Sequence, residues 1–205
     1  MSTLDQVMGL DQFFVQQQFR PLVNVYRIAT VEPDGRSEGQ PLAYVRQKRM
    51  KIREEIDFFS DEAQTRLLMR LAARTVFEFR GRTEVQLPDG QVIGQLQKVF
   101  GVSLLRSTWE ILDAHGQLVA TAQESSLAVA VLRRVWGLIP FLEYIPFQPP
   151  FHFDVLVGGR KVGRYTRLLA VRDRYVLDLS GDTDRVIDRR VAMAFCIALD
   201  ALQDR

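Results

Sequence analysis

The segment that most restricts how this chain can fold lies near its C-terminus, in "DRRVAMAFCIALDALQDR", where Val191 to Leu199 form nine apolar residues without a break. A bilayer crossing needs at least ~17 residues, and this run is closed by Arg189 and Arg190 on one side and Asp200 on the other. It is too short to be a transmembrane helix. Wound into a helix, it carries Ala, Met, Phe, Cys, Ile and Leu around its whole circumference, so no face is made for water. Such a helix belongs in the middle of a core.

The rest of the chain reads mostly as strands. In "FEFRGRTEVQL", Phe77, Phe79, Val85 and Leu87 alternate with Glu78, Arg80, Arg82, Glu84 and Gln86, the period of two that marks a strand with one dry face. Weaker alternation runs through "VNVYRI", "STWEIL", "LVATAQ" and "RYVLDL", and the turn signals "PDG", "AHG", "VGG" and "SGD" fall between apolar runs. One hairpin recurs. In "DGQVIGQLQK" and "GGRKVGRYTR", Gly90, Ile93, Gly94, Leu96 and Lys98 match Gly159, Val162, Gly163, Tyr165 and Arg167 in order. A third, looser copy lies at "DGRSEGQPLAYVRQK". Glycines inside strands suit bulges or sharp barrel bends.

Two stretches break this pattern. "SDEAQTRLLMRLAAR" reads either as a helix capped by Ser60 or as a hairpin turning at "SDEAQT" into a strand, and local pattern leaves both open. "SLAVAVLRRVWGLIPFLEYIPFQPPF" is apolar and aromatic, but Arg133 and Arg134 interrupt it, and an arginine at mid-span costs at least ~2.5 kcal/mol. A proline-rich crossover over residues 133–152 fits better than a membrane span. The start "MSTLDQVMGLDQFFV" lacks the basic and apolar regions of a secretory signal, so a cytoplasmic protein is expected.

In the order of these features the chain resembles the tubby C-terminal-like superfamily, which includes the phospholipid scramblases and the plant LURP-one-related proteins. The two hairpins and the closing "DTDRVIDRRVAMAFCIALDAL" carry the resemblance, which covers roughly Gln12 to Asp204. It implies a mainly β fold, a closed antiparallel barrel of about 12 strands around the hydrophobic C-terminal helix. Residues 12–205 would then be one domain preceded by an N-terminal tail, 1–11, and residues 60–72 would be a hairpin. A barrel of that width has room that strand side chains cannot fill, and an apolar helix fills it.

The chemistry on offer points to binding rather than catalysis. There is no G-x-S-x-G, P-loop, dinucleotide fingerprint or H-E-x-x-H. His115 and His152 read as turn and packing residues, and Cys196 as a small hydrophobe inside the helix. With 27 Lys and Arg against 25 Asp and Glu, there is no general attraction to nucleic acid or lipid, so any electrostatic site must be local. One candidate is "VRQKRMKIR", where Arg46, Lys48, Arg49, Lys51 and Arg53 could meet an anionic phospholipid headgroup. Arg133, Arg134 and Trp136 would add a membrane-surface contact. The resemblance to scramblases makes Asp178, Asp182 and Asp184 candidate Ca²⁺ ligands. The competing reading is a turn at Ser180, Gly181 and Asp182, with Asp188 favouring the helix N-terminus. No other cofactor is expected; protein partners are open. The expectation is a non-enzymatic protein at an anionic membrane surface, against the alternative of a soluble ligand- or protein-binding barrel.

Overall fold

The computed structural model describes residues 2–20, 23–48, 55–73, 82–99, 107–125, 152–168 and 173–202. Among them the short helix α1 (Thr3–Met8) precedes twelve strands. These are β1 (Gln12–Arg20), β2 (Val23–Val31), β3 (Glu38–Lys48), β4 (Glu55–Phe59), β5 (Leu67–Ala73) and β6 (Arg82–Gln86), then β7 (Val92–Val99), β8 (Thr108–Leu112), β9 (Leu118–Glu124), β10 (His152–Val157), β11 (Arg160–Leu168) and β12 (Arg174–Asp178). The C-terminal helix α2 (Arg189–Leu202) follows. Each strand pairs antiparallel with its neighbours in sequence, and β1 pairs with β12 from Gln12↔Asp178 to Gln16↔Arg174, which closes the barrel.

Alternation decides which side chains turn inward. Phe13 and Val15, Ile56 and Phe58, Met69 and Leu71, Phe153 and Val155 are buried at every second position, in one core cluster with Val191 to Leu199 of α2. Those nine helical residues are at most 2% exposed, so the helix is covered on all sides. Twelve strands ~4.8 Å apart and tilted ~40° close at a radius of about 12 Å, near the ~10 Å at which packed layers sit. One axial helix therefore reaches the wall all round.

The repeated hairpins have a common geometry. Val85 faces Gly94 and Val155 faces Gly163, and in both pairs the register then shifts past one residue, Ile93 or Val162. The hairpins β4–β5 and β8–β9 shift in the same way past Leu68 and Val119, and β2–β3 shifts twice. A bulge sharpens local twist, so five bulged hairpins on one rim bend the sheet toward closure. The glycines beside two of them are set by space. A Cβ at Gly94 would stand 2.6 Å from Val191 Cγ2, and one at Gly163 would overlap the carbonyl oxygen of Asp178 and lie 2.7 Å from Leu179 Cδ2. Backbone cannot yield as a side chain does, so Gly163→Ala is expected to cost about 2 kcal/mol. A thermal melt checks this; an unchanged midpoint would mean that β11 and β12 are less tightly apposed.

Residues 60–72 form the hairpin, with Ser60 N donating to Arg66 O at 2.9 Å and Asp61 accepting from Thr65 N at 3.2 Å across the turn. Residues 1–11, read as a tail from sequence, include α1 instead. Ser2 and Asp5 form a capping box, and Val7 is fully buried against the core. The tail expectation missed this because one buried residue in six leaves little periodicity to read. Among the described residues no helix is long and apolar enough to cross a membrane.

Candidate functional site

Helix α2 enters the barrel at the rim carrying the five bulged hairpins, and its entry is locked by Arg189. This side chain is 1% exposed, yet each of its five N–H donors has an acceptor. Nε donates to Leu10 O at 3.0 Å, Nη1 to Asp182 Oδ2 at 2.5 Å and Ile187 O at 3.0 Å, and Nη2 to Asp11 Oδ1 at 2.8 Å and Asp182 O at 3.2 Å. Asp182 also accepts from the backbone N–H of Val186 and Ile187, both at 3.1 Å. Burial works against its charge, but Arg189 and these amides hold its carboxyl below the usual range.

This geometry does not assemble the expected Ca²⁺ ligands. Asp182 is spent on Arg189, Asp184 is 77% exposed and lies 4.0 Å from Arg160, and Asp178 accepts from Gln12 Nε2 at 3.1 Å and Ser180 N at 2.8 Å. Among the described residues no three His, Cys, Asp or Glu side chains are close enough to hold a metal ion. The turn reading describes the loop better: Asp188 Oδ1 accepts from Arg190 N at 2.8 Å, as a helix N-cap does.

At the other end of α2, Asp200 accepts from the hydroxyls of Tyr26 and Tyr175. Burial pushes its carboxyl above the usual range, and the two tyrosyl hydrogen bonds only partly oppose that. A raised folded value means stability that is present below the unfolded carboxylate range and lost as pH rises through the folded value. The stability of Asp200→Asn relative to wild type should therefore increase as urea titrations move from about pH 4 to 8. A difference independent of pH would show that Asp200 does not titrate across this range.

Among the described residues, concave surface is found on the outer wall. The row His152↔Thr166↔Val176↔Phe14↔Ala29 crosses β10, β11, β12, β1 and β2 on the outward side, flanked by Arg164↔Asp178 and Leu168↔Arg174. A groove of about 690 Å³ lies here, bounded on its other side by Gly35, Arg36 and Ser37 of the β2–β3 turn. The two register shifts in β2–β3 provide the bend that brings the turn there. Asp34 fixes the tip, accepting from Arg36 N and Ser37 N at 2.8 Å each. Arg164 is paired with Asp154 at 2.9 Å, and Arg167, in the inward register with Tyr175, is paired with Asp173. Among the described residues, neither the Arg36 nor the Arg174 guanidinium has a hydrogen-bond or ion-pair partner. His152 Nδ1 is buried and also without one.

A family model, LURP-one-related, matches residues 42–200, from the middle of β3 to the end of the buried helix. The chain belongs to the LURP-one-related family. No curated protein matches it. Strands β1 and β2 lie before the matched region, although β1 is what joins β12 to β2 and closes this LURP-one-related barrel.

Of the basic residues expected to meet a headgroup in this LURP-one-related protein, Arg46 lies opposite Asp57 across β3–β4, with Nη1 donating to Gln64 Oε1 at 3.4 Å. Lys48 ends β3, while Arg49, Lys51 and Arg53 lie outside the described residues, as do Arg133, Arg134 and Trp136. The strand ends Lys48 and Glu124, from which the basic and aromatic segments leave, are on the same rim, because β3 and β9 run in the same direction. Sequence reasoning passed over Arg36 and Arg174 and read His152 as a packing residue. Nothing local joins a turn near residue 35 to a strand near residue 174.

Proposed function

We propose that this LURP-one-related protein is a non-enzymatic binder of anionic phospholipid at a membrane surface. The observation that carries the reading is the outer-wall groove, where two arginines without a hydrogen-bond or ion-pair partner among the described residues stand on the outside of a barrel whose core is packed around α2. Guanidinium groups recognise phosphate oxygens through paired N–H donors. The basic stretch from Arg46 to Arg53 would add attraction to an anionic leaflet, at about 1 kcal/mol per cation near the surface. Flotation with anionic and neutral vesicles, at low and at physiological salt, tests the proposal. Binding to anionic vesicles alone, weakened by Arg49→Ala/Lys51→Ala or by Arg36→Ala/Arg174→Ala, is expected; no flotation at either salt would leave a barrel that binds soluble ligands or proteins.

A further inference from the structure

The outer-wall groove has features that general attraction to a charged surface does not require. Its volume of about 690 Å³ falls within the ~300–1,000 Å³ of small-molecule sites and is far larger than one inorganic anion needs. Its cations are also not equivalent. Asp154 pairs with both Arg164 and Lys161, and the Asp178 carboxylate in the lining is held by Gln12 and the Ser180 N–H, while among the described residues the guanidinium groups of Arg36 on the turn and Arg174 on the wall have no ion-pair partner. Two separate unpaired charges match a dianion, whereas a carboxylate would satisfy only one.

The remaining lining suits an organic body attached to that dianion. Leu168 and Val176 provide an apolar floor, with the Thr166 hydroxyl beside them. His152 Nδ1, buried at the edge of the same groove, is a polar atom lacking the hydrogen bond that buried polar atoms normally have. Burial, and then the charge of Arg164, hold this imidazole below its usual pKa, which favours a neutral ring that can hydrogen-bond without adding positive charge to the groove.

We propose that the groove is a binding site for a phosphomonoester, with Arg36 and Arg174 holding the phosphate from the turn and from the wall and His152 hydrogen-bonding the organic part. The chemistry is shared by a lipid headgroup such as phosphatidic acid and a soluble sugar phosphate. The assignment rests on the part of the functional reading that puts anion binding on the outer wall, and not on membrane association.

The soluble arm titrates the full chain calorimetrically with glucose 6-phosphate and with glucuronate, which carries a carboxylate in place of the phosphate ester. Glucose 6-phosphate should bind at least about tenfold more tightly than glucuronate, and Arg36→Ala/Arg174→Ala should remove that preference. Both arginines are exposed, so the variant should keep the wild-type melting temperature and act as a folded control. The lipid arm compares phosphatidylcholine vesicles containing phosphatidic acid with vesicles containing phosphatidylserine, whose phosphate is a diester. A preference for phosphatidic acid that disappears in the double variant assigns the site to a lipid headgroup. Binding of glucose 6-phosphate alone, lost in the double variant, assigns it to a soluble ligand. Equal binding of sugar phosphate and glucuronate, an unaffected double variant, or no binding in either arm overturns the proposal. If the vesicles still float and Arg49→Ala/Lys51→Ala releases them, the membrane reading survives that failure.

Discussion

Ala194→Asp is expected to remove the protein from the soluble fraction. Ala194 is fully buried halfway along α2, surrounded by the inward side chains of a closed wall. A carboxylate there has neither a cationic partner nor water, and the effective penalty is several kcal/mol. Folded domains are stable by only ~5–15 kcal/mol, so one such charge consumes most of the margin. The added volume also presses outward on a wall that cannot open without breaking a strand pair. Expression of the variant with soluble and pelleted fractions assayed separately checks this, and a soluble, cooperatively melting Ala194→Asp protein would mean that α2 is not enclosed.

The second large effect is at the mouth of the barrel. Asp182→Ala leaves Arg189 buried at 1% exposure with its main countercharge removed, and breaking such a pair from one side costs about 3–5 kcal/mol. Removing both charges costs less, so Asp182→Ala/Arg189→Met should recover much of the loss, although Asp11 then loses one of its two arginine partners. The contribution of Asp182 is present above the unfolded carboxylate range and fades as pH falls through its lowered folded value. Urea denaturation of the wild type in Ca²⁺ and in chelator separates the lock from a metal site. Equal midpoints are expected, with the Asp182→Ala loss the same in both; a midpoint that chelator lowers to that of Asp182→Ala would restore the calcium reading.

The recurrence of Gly94 and Gly163 in matching hairpins was legible because both sit beside the same bulge, where a Cβ does not fit. Gly39 has a comparable place in the twice-shifted β2–β3 hairpin, where a Cβ would overlap Thr30 Oγ1, and it belongs to the third, looser copy; the bulged β4–β5 and β8–β9 hairpins have no glycine at their bulge. The stretch 60–72 was ambiguous for a physical reason: Asp61 closes the turn through Thr65, and an acidic residue after a serine is equally what a helix start offers. Arg189 was read only as a charge that closes the apolar run. Sequence could not show otherwise, because its acceptors come from residues 10 and 11 as well as from the loop at 182–187.

The run from Val191 to Leu199 by itself determined that this protein has a helix covered on every side, since a helix without a polar face is stable in water only when enclosed. Period-two alternation likewise determined that most of what encloses it is sheet with one dry face. Tertiary structure alone decided how the sheet closes, which buried charge meets which, and where two exposed arginines come to face one groove. Those outcomes depend on the register between β1 and β12 and on the bends in β2–β3. Register is set by how all the inward side chains pack together around α2, and no single segment contains that information.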